Sequence, residues 1–122
     1  MNKTFKAILA AASLAAASHA LAGGAIVIDE QDGPQPTNYF VSVKHAQKDA
    51  ARTALAQCRA QGHDSCLVAV RFEQCAALAD SSRFYRVGKG ATIAEASSNA
   101  LKNCPGCAIV QAACDGTRVA SR

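Results

Sequence analysis

Large side chains are scarce: the chain has no tryptophan, two tyrosines, four phenylalanines and one methionine. A core built mainly of alanine buries little apolar area per residue, at roughly 25 cal/mol per Å². Charge of one sign is lacking too. The formal charge is +4 and falls to +2 once Lys3 and Lys6 are removed, and basic and acidic residues alternate along the chain. That excludes the clustered basic face of a nucleic-acid binder. Past the first residues no apolar stretch approaches the ~20 residues that span a bilayer, so no membrane segment is expected after the start is cleaved. No cysteine precedes Cys58, which excludes a lipid anchor directly behind a cleavage site.

What the start does have is the pattern of an export signal over residues 1–22: Lys3 and Lys6, an apolar Ala7 to Ala17, and Ala20-Leu21-Ala22 as a small-x-small cleavage site. Cleavage there leaves 100 of 122 residues, enough for one domain with a modest core, residues 23–122. Six cysteines in an exported chain point to disulfides, which would supply about 2–4 kcal/mol each. The expected location is periplasmic or extracellular.

The chain repeats itself. Tyr39, Val41, Ala50, Ala54, Leu55 and Cys58 return 46 positions later as Tyr85, Val87, Ala96, Ala100, Leu101 and Cys104. Two repeats follow, about 25–72 and 76–114, each strand, strand, helix, strand. Expected strands are Ala25–Asp29, Tyr39–Val43, Leu67–Phe72, Ala76–Asp80, Phe84–Gly88 and Ala108–Ala113. Thr92-x-x-Glu95 is a capping-box sequence, and Ala96, Ala100, Leu101 and Cys104 share a helical face ahead of Pro105. In the first repeat Ala46 takes the cap position and Gly62 the C-terminal stop. The fold expected is α+β, a mostly antiparallel sheet with two helices on one face, stapled by disulfides.

Six cysteines allow 15 pairings. Exchange symmetry between the repeats removes many, and locality favours Cys58–Cys66, Cys104–Cys107 and Cys75–Cys114, the last joining the halves. Cys104-Pro105-Gly106-Cys107 has oxidoreductase spacing, but a reactive thiol gains acidity at a helix N-terminus and Cys104 belongs to a C-terminus. Zinc would need two further thiolates that an exporting cell oxidises. No metal or cofactor is expected.

Catalytic signals are thin. His45 and His63 are read as solvated, and Ser42, Ser65 and Ser97 lack a nucleophile-elbow context. Asp49 and Glu95 suit the first turns of the helices. Gly88-Lys89-Gly90 fits no phosphate-binding fingerprint and is read as the turn into the second helix. Lys44, Lys48, Arg52 and Arg59 form a basic stripe, read first as a solvated face and, as the alternative, as a contact surface for an acidic partner.

With these motifs in place the chain resembles the secreted bacterial family grouped as domain of unknown function 4189. The resemblance rests on Ala50-x3-Ala54-Leu55-x2-Cys58, Cys66-x8-Cys75-Ala76-Ala77-Leu78-Ala79, Tyr85, Gly88-x-Gly90 and Ala96-x3-Ala100-Leu101-x2-Cys104 with Cys107 and Cys114. It implies export and a small cysteine-rich fold, and brings no catalytic residues. Cys104-x2-Cys107 is shorter than Cys58-x7-Cys66, a departure from strict symmetry.

The leading expectation is an exported binding or inhibitor-like module with a protein partner, one form of which is protection against a toxin or wall-degrading enzyme in the periplasm. A small secreted enzyme, a hydrolase or a thiol oxidoreductase using His45 or Cys104, is the lesser expectation, beside a passive envelope component.

Overall fold

A computed structural model describes residues 23–30, 38–44 and 47–115. The expected export signal over residues 1–22, the residues 31–37, His45 and the expected cap residue Ala46 lie outside the described residues. The first repeat supplies β1 (Gly23–Asp29), β2 (Asn38–Lys44), α1 (Gln47–Ala60) and β3 (Cys66–Phe72). The second supplies β4 (Cys75–Asp80), β5 (Tyr85–Gly90), α2 (Ile93–Leu101) and β6 (Ala108–Cys114).

The six strands and two helices are those expected, and all strand pairs are antiparallel. The strands divide into two sheets, β2-β1-β3 and β5-β4-β6, one per repeat. The cause is local. The first strand of each repeat already has a hydrogen-bonding neighbour from its own repeat on either side, so no edge of it is left for the other repeat.

Alternation then sets the layers. Ile26 and Ile28 of β1, Val70 and Phe72 of β3, Ala76 and Leu78 of β4 and Ala113 of β6 meet in one cluster, so the sheets pack face to face. Ala25 and Val27 point the other way, to Ala50, Ala51, Ala54 and Cys58. Ala77 and Ala79 do the same towards Ala96 and Ala100. The order of layers is helix, sheet, sheet, helix, each helix covering one face of its own sheet. Strands β1 and β4 are buried on both faces, which explains why each reads as an unbroken apolar run.

Duplication extends to the irregularities. The ladder between β1 and β3 shifts between Ile26 and Val27, passing over Ala69; that between β4 and β6 shifts between Leu78 and Ala79, passing over Val110. A bulge in the same place of each half is inherited geometry, since bulges are specific features rather than noise.

Both helix ends depart from the simplest reading. At α2, Thr92 Oγ1 accepts the Glu95 N–H at 3.1 Å while Glu95 Oε1 accepts the Ala91 N–H at 2.9 Å, one residue ahead of the usual capping-box partner. The helix ends at Leu101, before Pro105, because Asn103 turns left-handed at φ 54°, so Cys104 lies beyond the helix rather than on its face. At α1, Gly62 with φ 91° donates to Arg59 O at 3.0 Å and His63 donates to Cys58 O at 3.4 Å, the paired bonds of a Schellman stop. Gly88 and Gly90 fall inside β5, not in a turn; Gly88 is a strand glycine because α2 lies directly on it.

Three bridges brace this frame: Cys58–Cys66, Cys104–Cys107 and Cys75–Cys114. The first ties the last turn of α1 to the start of β3, and the second closes the turn between α2 and β6. Cys75 and Cys114 are register partners on β4 and β6, so this bridge laces the second sheet and does not join the halves. The repeats are joined by the shared core, the link Glu73–Gln74, and the Tyr85 hydroxyl donating to Glu30 at 3.1 Å.

Candidate functional site

Helix α1 carries the first candidate surface. Ala50, Ala51, Ala54 and Cys58 are buried against the sheet, and the Cys58–Cys66 bridge fixes the C-terminal end. At 3.6 residues per turn, Lys48, Arg52 and Arg59 fall within about 40° of one another, and all three are exposed. Arg52 is 76% exposed and stands 3.9 Å from Asp49. A surface pair of this kind is worth under about 1 kcal/mol, so the guanidinium remains exchangeable with an outside partner. Lys44 is separate, closing β2.

The second feature was invisible in the sequence. His63, expected to be solvated, is folded back by the Gly62 stop so that Nδ1–H donates to Asp29 Oδ2 at 2.7 Å. Its side chain is 22% exposed and that of Asp29 4%. The ring also lies against Phe40, centroids 5.6 Å apart. Asp29 ends β1 on the same face as Ala25 and Val27, beneath the end of α1. The one sequence signal was its parity within an apolar strand.

An imidazole held by a buried carboxylate could serve as a base. Among the described residues the candidate nucleophiles lie apart from it: Ser42 is buried on β2, Ser65 is exposed, Ser97 belongs to α2, and Cys66 is bonded to Cys58. No hydroxyl or thiol among the described residues hydrogen-bonds to the His63 ring, whose partners are Asp29 and Phe40. The pair ties the loop after α1 to the end of β1. Cys104 and Cys107 are likewise bonded, just beyond the C-terminal end of α2. The described residues contain no group of three or more His, Cys, Asp or Glu arranged to hold a metal ion.

The third feature lies between the repeats. Burial raises the Tyr85 hydroxyl above its ordinary value of 10.0, and the charge of Glu30 and its hydrogen bond raise it further. Tyr85 thus stays protonated and donating at neutral pH. Beside it the Arg86 guanidinium stacks 4.5 Å from the centre of the Phe84 ring. At the neighbouring end of β4, burial also raises Asp80 above the usual carboxylate value of 3.8.

No helix among the described residues is long and apolar enough to cross a membrane. No curated protein matches the chain. Among solved structures, the NMR structure of Rv1813c from Mycobacterium tuberculosis is similar, with a TM-score of 0.55, 23% identity, and coverage of 76% of this chain and 75% of that one. At that identity the likeness is one of fold. The family described as Domain of unknown function (DUF4189) matches residues 24–114, the same span as the two repeats, and the chain belongs to that family.

Proposed function

We propose that this chain is an exported, disulfide-braced binding module, inhibitor-like in action, whose role is to hold an acidic protein partner outside the cytoplasm. We include in this role protection against a toxin or a wall-degrading enzyme in the periplasm. The observation that carries the reading is the exposed row of Lys48, Arg52 and Arg59 on a helix whose opposite side is fixed to the sheet. A rigid cationic face loses little conformational freedom on binding and steers an acidic partner by charge. The pattern of residues 1–22 supports export, and three bridges suit an oxidising compartment.

The test is capture from an envelope extract with the oxidised, exported protein, followed by titration of the captured partner. The triple variant K48E/R52E/R59E is expected to weaken that partner's affinity by about a hundredfold and to flatten its salt dependence, with the unfolding midpoint unchanged. Failure to capture any partner, or equal binding by the triple variant, contradicts the reading. The first of those results would favour a passive envelope component instead.

A further inference from the structure

The outer strands of the two sheets, β3 and β5, lie on the same side of the sandwich. Two clefts follow one another along the seam between them. The first, about 500 Å³, is bordered by Glu30, Ala69, Tyr85 and Val87. The second, about 430 Å³, is bordered by Arg71, Glu73, Lys89 and Gly90. Position advances along β3 and β5 together from one cleft to the next, so the trough follows the strand direction. At about 3.3 Å per residue it accommodates five or six residues of extended chain.

Hydrogen-bond phase shows what β5 offers to that trough. Ser81 donates to Phe84 O at 2.9 Å, which makes 81 and 84 a bonded pair at the mouth of the β4–β5 hairpin. Bonded and non-bonded pairs alternate along an antiparallel ladder, so Tyr85, Val87 and Lys89 direct their backbone groups away from β4. Two contacts agree with this phase: Arg86 donates to Tyr85 O at 2.9 Å and Asn99 donates to Lys89 O at 2.7 Å. Side chains thus cover both ends of the edge. Val87, between them, has its N–H and C=O facing outward without a partner among the described residues, and the residue is 36% exposed.

The charges around this gap are chiefly positive. Arg71, Arg86 and Lys89 are exposed along it, while Glu30 is held by Tyr85 and Glu73 stands at the far end. Like charge on the edge opposes pairing with a second copy of this chain.

We propose that the Val87 edge of β5 receives an extended acidic segment of a partner protein, added as a fourth strand to the second sheet. The partner's backbone pairs with Val87 N–H and C=O, and its carboxylates meet Arg71, Arg86 and Lys89. This surface is independent of the α1 face, and the K48E/R52E/R59E protein retains it.

The probe is a fluorescein-labelled seven-residue peptide of alternating Glu and Val, with a Lys/Val peptide as control. Saturable anisotropy for the acidic peptide alone is expected, with protection of the Val87 amide from exchange. Val87→Pro, tolerated on an edge strand but lacking the N–H, is expected to weaken binding at least about tenfold, and R71E/K89E to do the same. R71E/K89E decides the matter if the proline variant does not fold. Absence of binding by either peptide, equal binding by R71E/K89E, or dimerisation through β5 overturns the proposal.

Discussion

Replacing Cys75 and Cys114 together with alanine is expected to cost about 4 kcal/mol of stability, twice the ~2 kcal/mol expected for the Cys104 and Cys107 pair. The two bridges close loops of very different length, with sequence separations of 39 and 3. Closing the longer loop removes far more freedom from the unfolded chain. Position adds to this. Cys75 and Cys114 are both buried and tie β4 to β6 at one end of the ladder, so their loss also loosens the sheet on which α2 rests. The Cys104–Cys107 bridge holds only the turn between α2 and β6. Denaturant unfolding of both double variants under non-reducing conditions measures the difference. Equal losses, or a larger loss for the Cys104 and Cys107 variant, would show that the account of the second sheet is wrong.

Gly88→Ala is the second large effect, and here two principles oppose each other. Alanine in place of glycine inside a strand ordinarily stabilises, by reducing the freedom of the unfolded chain. At Gly88 an added Cβ would fall inside the contact distance of Ala96 O and Ala100 N, and 2.8 Å from Asn99 C. These are helix backbone atoms, which cannot swing aside as the tip of a side chain can. The whole of α2 must lift from β5, opening the thin layer of Ala77, Ala96 and Ala100. Overpacking wins, at a cost of about 3 kcal/mol. Ser42, the matching position in the first repeat, carries a buried side chain, so α1 stands far enough from β2 to admit one. A Gly88→Ala protein as stable as the parent would mean that α2 does not lie as close as described.

Much of this was legible from the chain itself, and the reason lies in what each signal depends on. Thr92 and Glu95 announce a helix start through bonds made within four residues, and Gly62 announces a stop because its left-handed turn is local. The 46-residue repeat located both helices and the strands beside them. The division into two sheets was not legible. Ala25–Ile28 and Ala76–Ala79 are apolar at every position, and an unbroken run does not say that a helix covers one face and another sheet the other.

The candidate surfaces followed the same rule. Lys48, Arg52 and Arg59 were found by helical periodicity. The Asp29–His63 pair joins residues from different elements and has no periodic trace, and His45 lies outside the described residues. Gly88 was misread as a turn because a glycine needed for close approach and one needed for a bend look alike in one dimension. The seam between β3 and β5 depends on strand order, which the sequence does not state.

Peptide mass mapping of the native protein, isolated without reductant and with free thiols blocked at lysis, tests the duplicated, sulfur-braced domain most directly. The result predicted is Cys58 linked to Cys66, Cys75 to Cys114 and Cys104 to Cys107, every bridge inside one repeat and no thiol alkylated. Reduced cysteines in the native protein, or a bridge such as Cys66 to Cys107 crossing between the repeats, would contradict it.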